Sequence, residues 1–180
     1  MFTYALSDLA FLRILNVQDA EECFALVDAN REHLRPWLPW VDNTLTPADS
    51  RAFIEFTSKQ VGNNNGFQAG IFYEDKLVGM IGFHSIDWAH KKTTIGYWLA
   101  EGYQGRGLMT SACRALIDYA FDVWKLNRIE IRATVQNVRS RAIPERLGFT
   151  LEGTVRQVEW VNDRFYDHVV YGLLAEDWKK

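Results

Sequence analysis

The 180-residue sequence has little of what secreted, membrane-bound or metal-stapled chains depend on. It holds two cysteines, Cys23 and Cys113, 90 positions apart. That spacing makes neither a disulfide framework nor a zinc site, and it fits a reducing, cytoplasmic setting. No run of about 18 apolar residues is present, so no membrane-spanning helix is expected. The opening MFTYALSDLAFLRIL has no basic lead and is interrupted by Asp8 and Arg13, which argues against a signal peptide. No internal repeat or linker divides the chain. Neither sign of charge dominates, with 20 Lys+Arg against 23 Asp+Glu and a net charge of −3. Direct nucleic-acid binding, which calls for Lys/Arg stripes and a high pI, is therefore not expected. What remains is 48% apolar residues, 14% aromatics and seven Trp, enough for a core that closes without disulfide or metal. At this length residues 1–180 are expected to form a single domain.

The charge is unevenly spread. Residues 101–150 carry 8 basic against 5 acidic side chains, a net of +3, between segments of net −4 (8 against 12) and −2 (4 against 6). Such a block suits a compact anionic ligand, and scattered solvated arginines would give the same count.

Periodicity alternates along the chain. Phe11–Leu15 reads as a strand, and Asn16 with Asp19 marks the start of a helix carrying Ala20, Cys23, Phe24 and Val27 on one face. Arg35-Pro36-Trp37-Leu38-Pro39-Trp40 cannot be regular helix. Thr46-Pro47-Ala48-Asp49 opens another helix, running to about Gln60. Strands are expected at Phe67–Tyr73, Leu77–Ile86 and Thr93–Leu99, a packed helix at Thr110–Trp124, a strand at Arg128–Val135, a short helix at Ser140–Leu147, and strands at Val155–Trp160 and Asp167–Leu174. This order predicts an α+β fold with a central sheet of about seven strands. One strand–helix–strand crossover, from Thr93–Leu99 to Arg128–Val135, makes that pair parallel.

Gln104-Gly105-Arg106-Gly107-Leu108-Met109 stands where the crossover helix begins. Two glycines permit a tight turn and close backbone approach, the first helical turn leaves N–H donors unpaired, and the helix dipole favours an anion. Arg106 adds a full charge. Gly-x-Gly alone is a weak signal: the third glycine of a dinucleotide fingerprint is missing, and no Gly-Lys-Ser/Thr follows.

With Tyr97-Trp98-Leu99, Asn137-Val138-Arg139-Ser140 and Arg146-Leu147-Gly148-Phe149 around it, this segment resembles the GNAT superfamily of acetyl-CoA-dependent N-acetyltransferases. Gln104 and Gly107 match its Arg/Gln-x-x-Gly-x-Gly/Ala signature, while Met109 replaces the last small residue. His33-Leu34-Arg35-Pro36-Trp37-Leu38-Pro39-Trp40, Ile95-Gly96-Tyr97-Trp98-Leu99 and Gly148-Phe149-Thr150-Leu151-Glu152-Gly153 look most like the ribosomal-protein serine/alanine N-terminal acetyltransferases. The resemblance implies a mixed, mostly antiparallel sheet flanked by helices, whose parallel pair splays to hold CoA. It implies acetyl-CoA as co-substrate, its pyrophosphate on the amides of Gln104, Gly105, Arg106, Gly107, Leu108, Met109 and Thr110. The pantetheine arm would lie beside Trp98-Leu99-Ala100, with Leu99 N–H facing the thioester oxygen and Asn137 holding the arm.

Ser140 then stands near the thioester sulfur, as a candidate acid for the leaving thiolate or as a helix N-cap alone. Many members carry a Tyr acid four residues before Gly-Phe, where this chain has Pro144. Pro144 cannot donate to the Ser140 carbonyl, which is expected to stay open to a ligand or water. Glu159 matches an acidic residue of the ribosomal-protein subfamily, a candidate base acting through water, or a solvated strand residue. Trp37 and Trp40 either plug the core or roof the acceptor site, which the loop Trp88–Lys92 would also line. Cys23 and Cys113 read as packing residues rather than as an acyl carrier. His33, His84, His90 and His168 show no metal spacing and read as packing or surface residues. The leading reading is acetyl transfer to an α-amino group of a protein or peptide. A small-molecule amine acceptor and a non-catalytic CoA-binding module are the alternatives, and spare aromatics are compatible with a homo-oligomer.

Overall fold

The computed structural model describes residues 3–178. Strands β1 (Thr3–Ala5) and β2 (Ala10–Ile14) lead into helices α1 (Ala20–Ala29), α2 (Arg31–Leu34) and α3 (Pro47–Gly62). Strands β3 (Gln68–Tyr73), β4 (Lys76–Asp87) and β5 (Lys92–Leu99) follow, then helix α4 (Leu108–Asp118) and strand β6 (Arg128–Thr134). Helix α5 (Val138–Arg146) precedes the hairpin of β7 (Thr150–Val161) and β8 (Arg164–Leu174). One eight-stranded sheet has the order β1-β2-β3-β4-β5-β6-β8-β7. Every neighbouring pair is antiparallel except β5–β6, the pair joined through α4. The expected seven strands gain β1, three residues at the edge, too short to display an alternation.

The ladder between β5 and β6 is short. It runs from Lys92–Arg128 to Ile95–Ile131 and stops, although both strands continue. Beyond that point β5 stays on β4 as far as Leu99–Gly79, and β6 stays on β8 as far as Thr134–His168. A gap therefore opens in the middle of the sheet. The α4/α5 face carries the larger core, including Phe83, Ile95, Cys113, Leu116, Ile131 and Tyr171. The opposite face packs under α1 and α3 through Leu15, Cys23, Ile54 and Met80, with Trp40 and Trp98 meeting beside it.

Helix starts follow their caps. Thr46, Pro47 and Asp49 form the expected capping box of α3. Asn16 Oδ1 accepts from Gln18 N–H at 3.0 Å and Asp19 Oδ2 accepts from Asn16 N–H at 2.7 Å, although the first turn is 3-10 and α1 proper begins at Ala20. Helix α4 starts two residues earlier than expected, because Gly107 (φ +77°) turns the chain into Leu108 and Met109, both buried in the core. It ends at Asp118 and passes into a π turn, Tyr119–Val123, which leaves Trp124 beyond the regular helix. Met109, in place of a small residue, thus directs its side chain inward. Helix α5 starts at Val138, and its cap is Asn137, whose Oδ1 accepts from Ser140 N–H at 3.2 Å; Ser140 is not the N-cap.

Asp19 also receives both Arg13 guanidinium nitrogens at 2.9 Å. Burial alone would raise its carboxyl, but the bonds from Arg13 and Asn16 outweigh this and hold it below the usual range. Asp19→Ala is expected to cost about 2 kcal/mol in urea unfolding. Because the folded-state pKa is depressed, that contribution is complete above about pH 4 and fades as pH falls further. A difference between the two proteins that is unchanged down to pH 2 would contradict the assignment.

Candidate active site

The gap opens into a cavity of about 640 Å³ that collects residues from both faces of the sheet. This volume is within the range of small-molecule sites, roughly 300–1,000 Å³. Trp98 from β5 and Trp37 and Trp40 from the α2–α3 connection line one side; Asn137, Ser140, Glu159 and His168 line the other. Both tryptophans of the connection are half-buried; Trp40 packs on the small core 5.9 Å from Trp98 and walls the cavity as well, while Trp37 lines the cavity alone.

Backbone alternation decides which amides face the gap. Ala100 N–H donates to Val78 O at 2.8 Å, so Ala100 is turned toward β4. Trp98 shares that direction, and Leu99, lying between them, points its N–H at the gap. Of Trp98, Leu99 and Ala100, Leu99 is therefore the residue with its donor available there. At the carboxyl end of β5, Gly105 (φ +75°) and Gly107 (φ +77°) adopt left-handed conformations with open space where a Cβ would stand. The first intrahelical bond of α4 is Ser111 N–H to Gly107 O, 3.0 Å. The N–H groups of Leu108, Met109 and Thr110 precede it and have no acceptor within the helix. Gln104 is tethered to Arg139 Nη1 at 2.6 Å and to His33 Nε2 at 3.0 Å, while Arg106 stacks over Tyr73 and Tyr103.

Glu159 reaches the cavity through irregular pairing. Val155 pairs with His168, and an unbroken ladder would then place Glu159 opposite Arg164. Two extra residues on β7, with Gln157 at φ +49° and its N–H on Asp167 Oδ1 at 2.8 Å, place it opposite Tyr166 instead. Glu159 Oε2 then lies 2.9 Å from His168 Nε2. A further imidazole, His84, hangs over Gly96, where a Cβ would come within 2.2 Å of its Nε2. The ring is open to the cavity yet walled by protein, and this desolvation lowers its pKa. Arg132 also lines the cavity, with its guanidinium paired to Glu130 at 3.0 Å.

The acetyltransferase (GNAT) domain matches residues 10–150. The chain belongs to the GNAT acetyltransferase family. The ribosomal-protein-serine acetyltransferase of Escherichia coli (strain K12) is 31% identical over 180 residues, covering 97% of each chain. The crystal structure of a probable acetyltransferase superposes with a TM-score of 0.92 at 39% identity, covering 98% of this chain and 99% of that one. The microcin C7 self-immunity acetyltransferase MccE, solved in complex with acetyl-CoA and AMP, gives 0.90 at 32% identity over 94% of each chain.

In this acetyltransferase Ser140, Asn137, Glu159, Trp37, Trp40 and Trp98 share one cavity, while the Gln104–Thr110 loop lies beyond its lining. Three expectations change. The Ser140 carbonyl is not open, because Tyr97 Oη donates to it at 3.0 Å. His168, bonded to Glu159, is a cavity residue rather than a packing or surface one; the exposed His84 lines the cavity too, and α3 adds Phe53, Phe56 and Gln60. The loop Trp88–Lys92 does not line the cavity: Trp88 stacks near Trp124 and donates to Asn64 O. Glu159 was singled out by the resemblance alone, and its pairing with His168 depends on the irregular β7–β8 register, which leaves no signal in the sequence. Nothing in the sequence flags His84, whose place depends on a bulge in β4.

Both cysteines are buried, and burial pushes the Cys23 thiol up to about 11 and that of Cys113 upward too. At pH 8 only about one Cys23 in a thousand is thiolate. Native protein should leave both thiols unlabelled by a thiol probe over minutes, and denatured protein should titrate both. Prompt labelling of folded protein would reopen an acyl-cysteine route.

Proposed function

We propose that the enzyme transfers acetyl from acetyl-CoA directly to an α-amino group of a protein or peptide; the Escherichia coli relative is named a ribosomal-protein-serine acetyltransferase. The observation that carries this reading is that Ser140 and Glu159 line one cavity at the β5–β6 gap, toward which strand alternation turns Leu99 N–H. The amide donors of Gly105–Thr110 suit the pyrophosphate, and the strand edge at Leu99 suits the pantetheine arm. The acceptor nitrogen attacks the thioester carbonyl carbon, and Leu99 N–H stabilises the oxygen as it gains charge. The C–S bond breaks, and Ser140 Oγ–H gives its proton to the departing sulfur. Glu159, held by His168, takes the amine proton through water. Asn137 steadies the arm, and Trp37 and Trp40 roof the acceptor. A small-molecule amine is the second reading, favoured by the MccE complex with AMP and by the size of the cavity.

Initial rates with peptides differing in their first residue, set beside polyamines, separate the two acceptors. Peptides should give the higher kcat/KM, and the reverse order would move the acceptor to the second reading. An α-amino group titrates near pH 8, so at low pH it arrives protonated and needs a base. Glu159→Gln should therefore lower kcat/KM for the acceptor by roughly 10²-fold near pH 6 and approach wild type near pH 9. A defect of constant size across that range would leave Glu159 a binding role alone.

A further inference from the structure

Pro144 sits inside α5, where it offers no N–H to the carbonyl four residues back. That carbonyl belongs to Ser140, and Tyr97 Oη donates to it at 3.0 Å from β5. Tyr97 turns its ring toward the α4/α5 core, and burial holds the phenol far above its usual range, so it stays a donor wherever the protein is folded. The bond spans the gap. Tyr97 is on one lip, two residues before Leu99, and Ser140 is on the helix that follows the other lip, β6.

We propose that Tyr97 is a positioning residue for Ser140. It replaces the helix N–H that Pro144 removes and ties the first turn of α5 to the strand that carries Leu99. The donor for the developing oxyanion and the proton source for the leaving sulfur are thereby set relative to each other by one short chain of contacts. Other contacts hold α5 to the body of the protein: Arg141 Nε donates to Tyr171 Oη at 3.0 Å and Arg141 Nη1 to Val135 O at 2.8 Å. Loss of the Tyr97 hydroxyl therefore leaves α5 docked through Arg141 and the Asn137 cap, and removes only the bond that fixes the Ser140 carbonyl against β5. This inference rests on the reading of Ser140 as the acid.

The experiment is a set of variants assayed with acetyl-CoA and an N-terminal peptide. Tyr97→Phe should lower kcat about tenfold, a cost expected of a small misplacement, with both KM values within twofold of wild type. Pro144→Ala restores a backbone N–H aimed at Ser140 O, so it should be near wild type alone and return most of the rate to Tyr97→Phe. In a Ser140→Ala background Tyr97→Phe should change kcat less than twofold, because its effect acts through Ser140. A folded Tyr97→Phe/Pro144→Ala protein that remains slow would overturn the proposal, and so would a full Tyr97→Phe defect persisting in Ser140→Ala. If Tyr97→Phe alone does not fold, the double variant carries the test by itself. Wild-type activity in Ser140→Ala would remove the acid role; impaired Ser140→Ala beside wild-type Tyr97→Phe would remove only the link proposed for Tyr97.

Discussion

Between Ile95–Ile131 and the strand ends, β5 and β6 each keep an outer partner and lose the one they share. Sheet edges are normally satisfied by a neighbour, so two facing edges in the middle of a sheet are a demand for an extended ligand. The rest of the molecule is arranged around that demand. Helix α4 starts at the carboxyl end of β5 because the parallel connection must cross over the sheet, and its unpaired amides lie at the mouth of the gap. Helix α5 follows β6 immediately, which puts Ser140 on the opposite lip. The β7–β8 hairpin, irregular at Gln157, brings Glu159 to the cavity.

The polar groups of the site are held by contacts outside it. Gln104 is fixed between His33 and Arg139, Glu159 by His168, and the Ser140 backbone by Asn137 and Tyr97. The Glu159 carboxylate is thus set by a side chain of β8, and the Ser140 backbone by its own helix cap and by β5. The other walls of the cavity are aromatic, from Trp37, Trp40 and Trp98, with Phe53 and Phe56 of α3 toward solvent.

Most of the architecture was legible because its signals are local. The Thr46-Pro47-Asp49 start, the glycine turn at 105–107 and the short apolar runs of β3 and β4 each declare themselves within a few residues. The resemblance to the GNAT superfamily rested on the glycine turn with Tyr97-Trp98-Leu99, Asn137-Val138-Arg139-Ser140 and Arg146-Leu147-Gly148-Phe149 around it, and agrees with the family match. What could not be read depends on register or on contacts far apart in sequence. Asn162-Asp163, both at positive φ, close the last hairpin with a turn whose chemistry is visible in the sequence, and β8 begins at Arg164, three residues earlier than expected; β7 extends back to Thr150 through an irregularity at Leu151–Gly153. His84 reaches the cavity through a bulge, and Tyr97 finds Ser140 O across 43 positions, neither of which leaves a periodic trace.

Amide hydrogen exchange with and without acetyl-CoA tests the central claim most directly, that the gap between β5 and β6 receives the acyl donor. Leu99 and the 105–110 loop should gain protection on addition of acetyl-CoA. Ala100, already bonded to Val78, should not change. Protection confined to other segments, with Leu99 and that loop exchanging as before, would contradict the account.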